Sequence, residues 1–164
     1  MADMYRSEAA SQRPAVNAGR LWAGGLATAL VAALIAVVGI LAARGLFGVP
    51  ILAPKGAGVW GDASTGWYAF GAAVLSVAAT GLIHVLLLST PKPMRFFAWV
   101  VGLATLVGVL APFVTEGSLA SRMCTAGLNL VLGVAIGSLV AGTARAAVRP
   151  PTSPAVRTSP PPYP

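Results

Sequence analysis

The sequence predicts an all-α, polytopic membrane protein, a four-helix transmembrane bundle. Three observations carry that prediction. Four apolar stretches lie at about residues 21–43, 67–88, 96–114 and 123–141, separated by shorter polar or Gly- and Pro-bearing segments. A hydrocarbon core about 30 Å thick takes about 20 apolar residues in a helix, so each stretch is long enough or nearly so. Charged residues are 9% of the 164-residue chain and mean hydropathy is +0.81. An ordinary soluble domain carries about 25% charged residues, so the bilayer has to solvate most of this surface. The stretches also lack period-two alternation and are about twice the length of a strand, which rejects a barrel.

The first stretch follows Arg6, Arg13 and Arg20 and resembles a signal peptide at first sight. Its apolar part is too long, because such regions run about 7–15 residues, and no small-x-small cleavage site closes it. It reads as a retained helix. Span two has Asp62, Ser64 or Thr65 as candidate N-caps. Span three starts with Pro93 in its first turn, where a missing N–H is harmless, and meets Pro112 near its far end, where the ring kinks or stops a helix. Thr115-Glu116-Gly117-Ser118 reads as a turn, with Ser118 the N-cap of span four. The connection 45–66, with Pro50 and Pro54, is the largest external loop, and its Val49-Pro50-Ile51-Leu52 part suits the membrane interface. Residues 1–19 and 147–164 read as disordered arms around a membrane domain at 20–146. The second arm is rich in Pro, Ser and Thr and ends in a PPxY-like Pro160-Pro161-Pro162-Tyr163.

Four spans place both termini on one side. Arg6, Arg13, Arg20, Lys92, Arg95, Arg145, Arg149 and Arg157 fall on that side, and only Arg44, Lys55 and Arg122 on the other. Eight bases against three, with the acids divided equally, predicts cytoplasmic termini in the plasma membrane. Trp22, Trp67, Tyr68, Phe96, Phe97 and Trp99 stand at span ends, where amphipathic rings favour the head-group level. The net charge of +7 is therefore explained by topology and anionic lipid rather than nucleic acid.

Candidate functional groups are few. His84 and Asn129 are the strongly polar side chains inside the spans, and an intramembrane polar group is a functional hypothesis by default. Small residues recur at four-residue spacing: Gly25, Ala29 and Ala33; Ala72, Ser76, Thr80 and His84; Asn129, Gly133, Gly137 and Ala141. Gly133 and Gly137 form a GxxxG pair, which serves close packing within the chain or between two copies. The lone Cys124 excludes an intramolecular disulfide and a CxxC couple. No nucleotide loop, metal-ligand cluster or nucleophile motif occurs, so the sequence supplies no catalytic, cofactor or metal residue and identifies no small-molecule ligand.

The order and spacing of Val49-Pro50-Ile51-Leu52-Ala53-Pro54, Trp60-Gly61-Asp62, Leu82-Ile83-His84, Arg95-Phe96-Phe97-Ala98-Trp99, Pro112-Phe113 and Ser118-Leu119-Ala120-Ser121, with the stretch 129–137, resemble a family of uncharacterised four-helix membrane proteins from actinobacteria, a domain of unknown function. The resemblance covers about residues 20–146 and implies four spans but no activity. The expectation is a non-enzymatic structural or accessory membrane component in contact with the bilayer and capable of homo-oligomerisation. The alternatives are a small transporter or channel with His84 and Asn129 on a polar path, and an interfacial enzyme handling a lipid or quinone.

Overall fold

The computed structural model describes residues 16–45, 51 and 64–148. Helix α1 is Ala18–Gly45, α2 is Ser64–Ser89, α3 is Pro93–Leu110 with a 3-10 turn at Ala111–Val114, and α4 is Leu119–Ala147. All four helical segments are long and apolar enough to cross a membrane, counting the 3-10 turn with α3. The chain is a multi-pass, all-α membrane protein.

Each of α1, α2 and α4 outruns its predicted span, by the widest margin in α4, which reaches from Leu119 rather than residue 123 to Ala147 rather than residue 141. Hydropathy marks only the part of a helix that lies in hydrocarbon. Backbone hydrogen bonding continues through the head-group layer and takes in Arg20, Arg44, Arg122 and Arg145. The predicted arm boundaries shift for the same reason. Asn17 caps α1, its Oδ1 accepting from the Arg20 N–H at 3.0 Å. Its own backbone N–H donates to the Ala147 carbonyl at 3.0 Å, and Val16 bridges Val148. One residue thus satisfies a donor of α1 and an acceptor of α4 and brings the two ends of the domain together. Residues 1–15, 46–50, 52–63 and 149–164, with Asp62, Lys55 and the PPxY-like motif, lie outside the described residues.

Other boundaries match their chemistry. Pro93 opens α3. Ser118 caps α4, accepting from the Ser121 N–H at 3.2 Å. Ser64 and Thr65 are already helical, so neither stands before α2 as its cap.

Helix α1 packs along α2 and α4, and α2 also meets α4. Helix α3 lies chiefly on α4, touches α2 less, and does not reach α1. Small side chains explain the tight side of this arrangement. A Cβ at Gly25 would overlap the Thr80 side chain, so α1 and α2 approach to a distance that only glycine allows there. Ala72, Ser76 and Thr80 are buried on the facing stripe of α2. On α1 the stripe is Gly25, Ala29, Ala32, Ala36 and Ile40, with Ala33 only half-buried. A strict spacing of four drifts about 40° per step around a 3.6-residue helix, so the seam moves back to spacing three after Ala29. Outward residues such as Leu26, Leu30 and Leu34 are exposed on α1 as lipid contacts. Lipid tails are as apolar as leucine, so close packing rather than hydrophobic burial holds the helices together.

Replacing Gly25 with Leu should separate α1 from α2 and lower the unfolding temperature in detergent by several degrees. Gly102→Leu, where nothing lies near an added Cβ, should leave it within about a degree. Differential scanning fluorimetry on the two variants checks this contrast.

Candidate functional site

The chemistry at the end of the bundle away from the termini starts with a proline. In an α-helix the N–H of residue 112 would donate to the carbonyl of residue 108, but Pro112 has no N–H. The α3 ladder duly ends one residue earlier, with the Ala111 N–H donating to the Val107 carbonyl. The Gly108 carbonyl is left without its helical donor, in a medium where an unsatisfied backbone group costs several kcal/mol. Asn129 of α4 fills the vacancy: its Nδ2 donates to the Gly108 carbonyl at 2.6 Å. Because that carbonyl needs a donor, the orientation of the amide is set, and Oδ1 faces the other way. There it accepts a hydrogen bond from the Tyr68 hydroxyl of α2. A three-helix relay results, running from α2 through α4 to α3.

The approach of α3 to α4 is enabled by glycine. Gly108 stands 3.7 Å from the Asn129 Cβ, measured from where its own Cβ would be. A Cβ on Gly133 would overlap Thr105, and one on Gly137 would stand 3.0 Å from Val101. Both glycines of the GxxxG pair therefore face α3 of the same chain.

Beside the relay lies a cavity of about 700 Å³. Its floor is α4, with Thr125, Asn129, Leu132, Gly133 and Ile136. One wall is α2, with Trp67, Tyr68, Gly71, Ala72, Leu75 and Ala79. The other is α3 and its 3-10 turn, with Val101, Ala104, Thr105, Gly108 and Pro112. Thr115 and Glu116 complete the lining beyond the end of α3. Leu75 and Ala104 line the cavity yet are exposed, so it opens sideways along the α2–α3 seam. The threonines present little spare donor capacity: Thr105 Oγ1 donates to the Val101 carbonyl and Thr125 Oγ1 to the Ser121 carbonyl, both at 2.7 Å.

The predicted polar pair is not brought together. His84 follows Tyr68, the partner of Asn129, by sixteen residues on α2, or about 24 Å of helix. His84 packs instead against Trp22 of α1, ring centroids 6.4 Å apart and planes inclined by 55°. Its Nδ1 is buried without a hydrogen-bond partner. It does not line the cavity. Cys124 lies elsewhere again, in a shallow apolar groove between α1 and α4 with Leu34, Val38 and Leu128. Among the described residues no three His, Cys, Asp or Glu side chains cluster as metal ligands.

Tyr68 is the candidate site residue that sequence alone presents differently, as an interface anchor. The demand for Asn129 was written in the offset of four between Gly108 and Pro112. The supply from Tyr68 depends on how α2 is rotated against α4.

The profile of a family of unknown function, DUF6069, matches residues 16–146. The chain belongs to that family. No curated protein and no solved structure matches it.

The Pro112–Asn129 relation is open to a double-mutant cycle. Asn129→Leu should destabilise the bundle by about 1–2 kcal/mol in the native background. In a Pro112→Ala background, where an N–H returns to the Gly108 carbonyl, the same change should have less than half that effect. Equal effects in the two backgrounds, read by reversible unfolding in mixed micelles, would remove the proposed dependence.

Proposed function

We propose that this member of the DUF6069 family is a non-enzymatic accessory component of the plasma membrane that holds a lipid-like ligand in the cavity between α2, α3 and α4. The observation that carries the reading is the coincidence of three things in one place. The cavity opens sideways towards the region of lipid tails, its long walls are apolar, and the Tyr68–Asn129 relay stands at one end of it. A few placed polar groups in an otherwise apolar pocket of 300–1,000 Å³ is the common form of a small-molecule site.

Holding rather than converting is supported by how the hydroxyl and amide groups are engaged. Tyr68 donates to Asn129, Asn129 to Gly108, and Thr105, Thr115 and Thr125 to backbone carbonyls. Among the described residues no nucleophile stands beside a base in this arrangement. Orientation is supported by the eight-to-three distribution of Lys and Arg and by the meeting of Val16 with Val148 at one end. In this orientation the cavity lies in the outer half of the bundle.

Two measurements test the reading. Gly71 lines the cavity and has nothing within 4 Å of an added Cβ, so the side chain of Gly71→Leu starts in open space at the cavity wall. Native mass spectrometry after stepwise delipidation should find a lipid retained by the wild type, recovered unchanged in mass, and lost from Gly71→Leu. Equal retention by both would sink the cavity as the holding site, and a lipid of altered mass would point to catalysis. For orientation, a cysteine placed at Ser153 should resist an impermeant maleimide in intact cells and react after lysis, while Gly117→Cys should react in both.

A further inference from the structure

The reading above leaves the ligand's head group unspecified, and the unused hydrogen-bonding capacity at the polar end of the cavity narrows it. An asparagine amide offers two N–H groups and a carbonyl oxygen. One Asn129 N–H is committed to the Gly108 carbonyl, and the oxygen accepts from Tyr68. The second N–H remains. Tyr68 has given its proton to Asn129, so its oxygen faces a ligand only as an acceptor. Thr105 has likewise directed its proton to a helical carbonyl, that of Val101. Glu116 adds a carboxylate to the lining beside Thr115. Trp67, also in the lining, adds its indole N–H as a second donor. Among the described residues the polar end therefore combines two side-chain donors with the acceptor oxygens of Tyr68 and Thr105 and a carboxylate.

A carboxylate or phosphate head would bring acceptors and negative charge to groups that are already acceptors and to Glu116. Arg122, one turn before Thr125 on α4, is not part of the lining. A hydroxyl both donates and accepts. It can give its proton to Tyr68 Oη and accept the second Asn129 N–H. Leu75, Ala79, Val101, Ala104, Leu132 and Ile136 continue from this end as an apolar path for a chain.

We infer that the cavity takes a neutral lipid with a hydroxyl head group and a hydrocarbon tail, the hydroxyl bonded to Tyr68 and Asn129 and the tail lying along the α2–α3 seam. The inference rests on the holding role proposed above.

The test uses the full-length chain in nanodiscs and three photoreactive probes of equal chain length: a long-chain alcohol, the corresponding fatty acid and the corresponding monoalkyl phosphate. Each carries its diazirine mid-chain, and labelled residues are mapped by mass spectrometry. The alcohol should label residues of α2 and α3 along the seam more strongly than either anionic probe. Tyr68→Phe keeps the Asn129–Gly108 bond and should reduce the alcohol's labelling about fivefold, the equivalent of one hydrogen bond, while changing the anionic probes little. Gly71→Leu should abolish labelling of the seam by the alcohol. Seam labelling that is equal among the probes, or stronger for an anionic one, and sensitive to Gly71→Leu would overturn the hydroxyl assignment but keep the holding role. Alcohol labelling unaffected by Tyr68→Phe would also overturn that assignment. Seam labelling that is absent, or indifferent to Gly71→Leu, would overturn both.

Discussion

One backbone carbonyl without a helical donor organises the distal half of this bundle. Water would satisfy such a group at a soluble protein's surface, but in hydrocarbon the donor has to come from the protein. Pro112 creates the need and Asn129 meets it across 2.6 Å. Meeting it requires α3 and α4 to lie close enough for a short side chain to reach. Gly133 and Gly137 provide that approach by leaving room for Thr105 and Val101. Directing Nδ2 to Gly108 turns Oδ1 towards α2, where Tyr68 is the donor that completes the amide. Helix end, interhelical distance and the orientation of the polar groups are thus successive consequences of one missing N–H.

The same constraint explains why the bundle is lopsided. Helix α1 is locked to α2 and α4 along small residues, and α3 is held mainly through α4. Phe97 is the one buried residue of α3, whereas α1 and α4 each bury a continuous stripe. The α2–α3 seam is bridged at its distal end through Asn129 rather than closed by small-residue packing. Space therefore remains beside the relay, and Leu75 and Ala104 stay exposed along it. The cavity follows from satisfying the orphan carbonyl from α4 while α2 contributes only a long phenol.

Much of this was legible in the sequence, and what was not has a physical cause. Hydropathy located all four spans, and Pro93, Pro112 and Ser118 marked boundaries where local chemistry decides the matter. Of the stripe Ala72, Ser76, Thr80 and His84, the first three are buried and His84 is half-buried, because helical spacing is a property of one element and a spacing of four drifts around it. Helix lengths were underread because the interface tolerates Arg20 or Arg145 in a helix that hydropathy stops counting. Tyr68 was legible as an aromatic at a span end but not as a partner of Asn129, sixty-one residues away. That contact depends on the rotation of one helix about another, which no single helix's periodicity contains. His84 and Asn129 were singled out together because both are polar, yet polarity carries no information on depth or facing.

Their separation bears on the choice between holding and conducting. A polar path joining Asn129 to His84 would have to run along α2 past Ala72, Ser76 and Thr80. All three are buried, and Thr80 occupies the space that Gly25 leaves open. The Ser76 and Thr80 hydroxyls do not form a ladder for an ion or proton: Thr80 donates to its own helix, and the Ser76 Oγ is buried with no partner. His84 ends the series against the Trp22 ring rather than at an aqueous group. Between two polar ends the α1–α2 seam is close-packed, and the sideways opening lies on the other side of α2, towards α3. Among the described residues the opening along the α2–α3 seam reaches Asn129 and is not continued to His84, which supports the proposed holding role over passage.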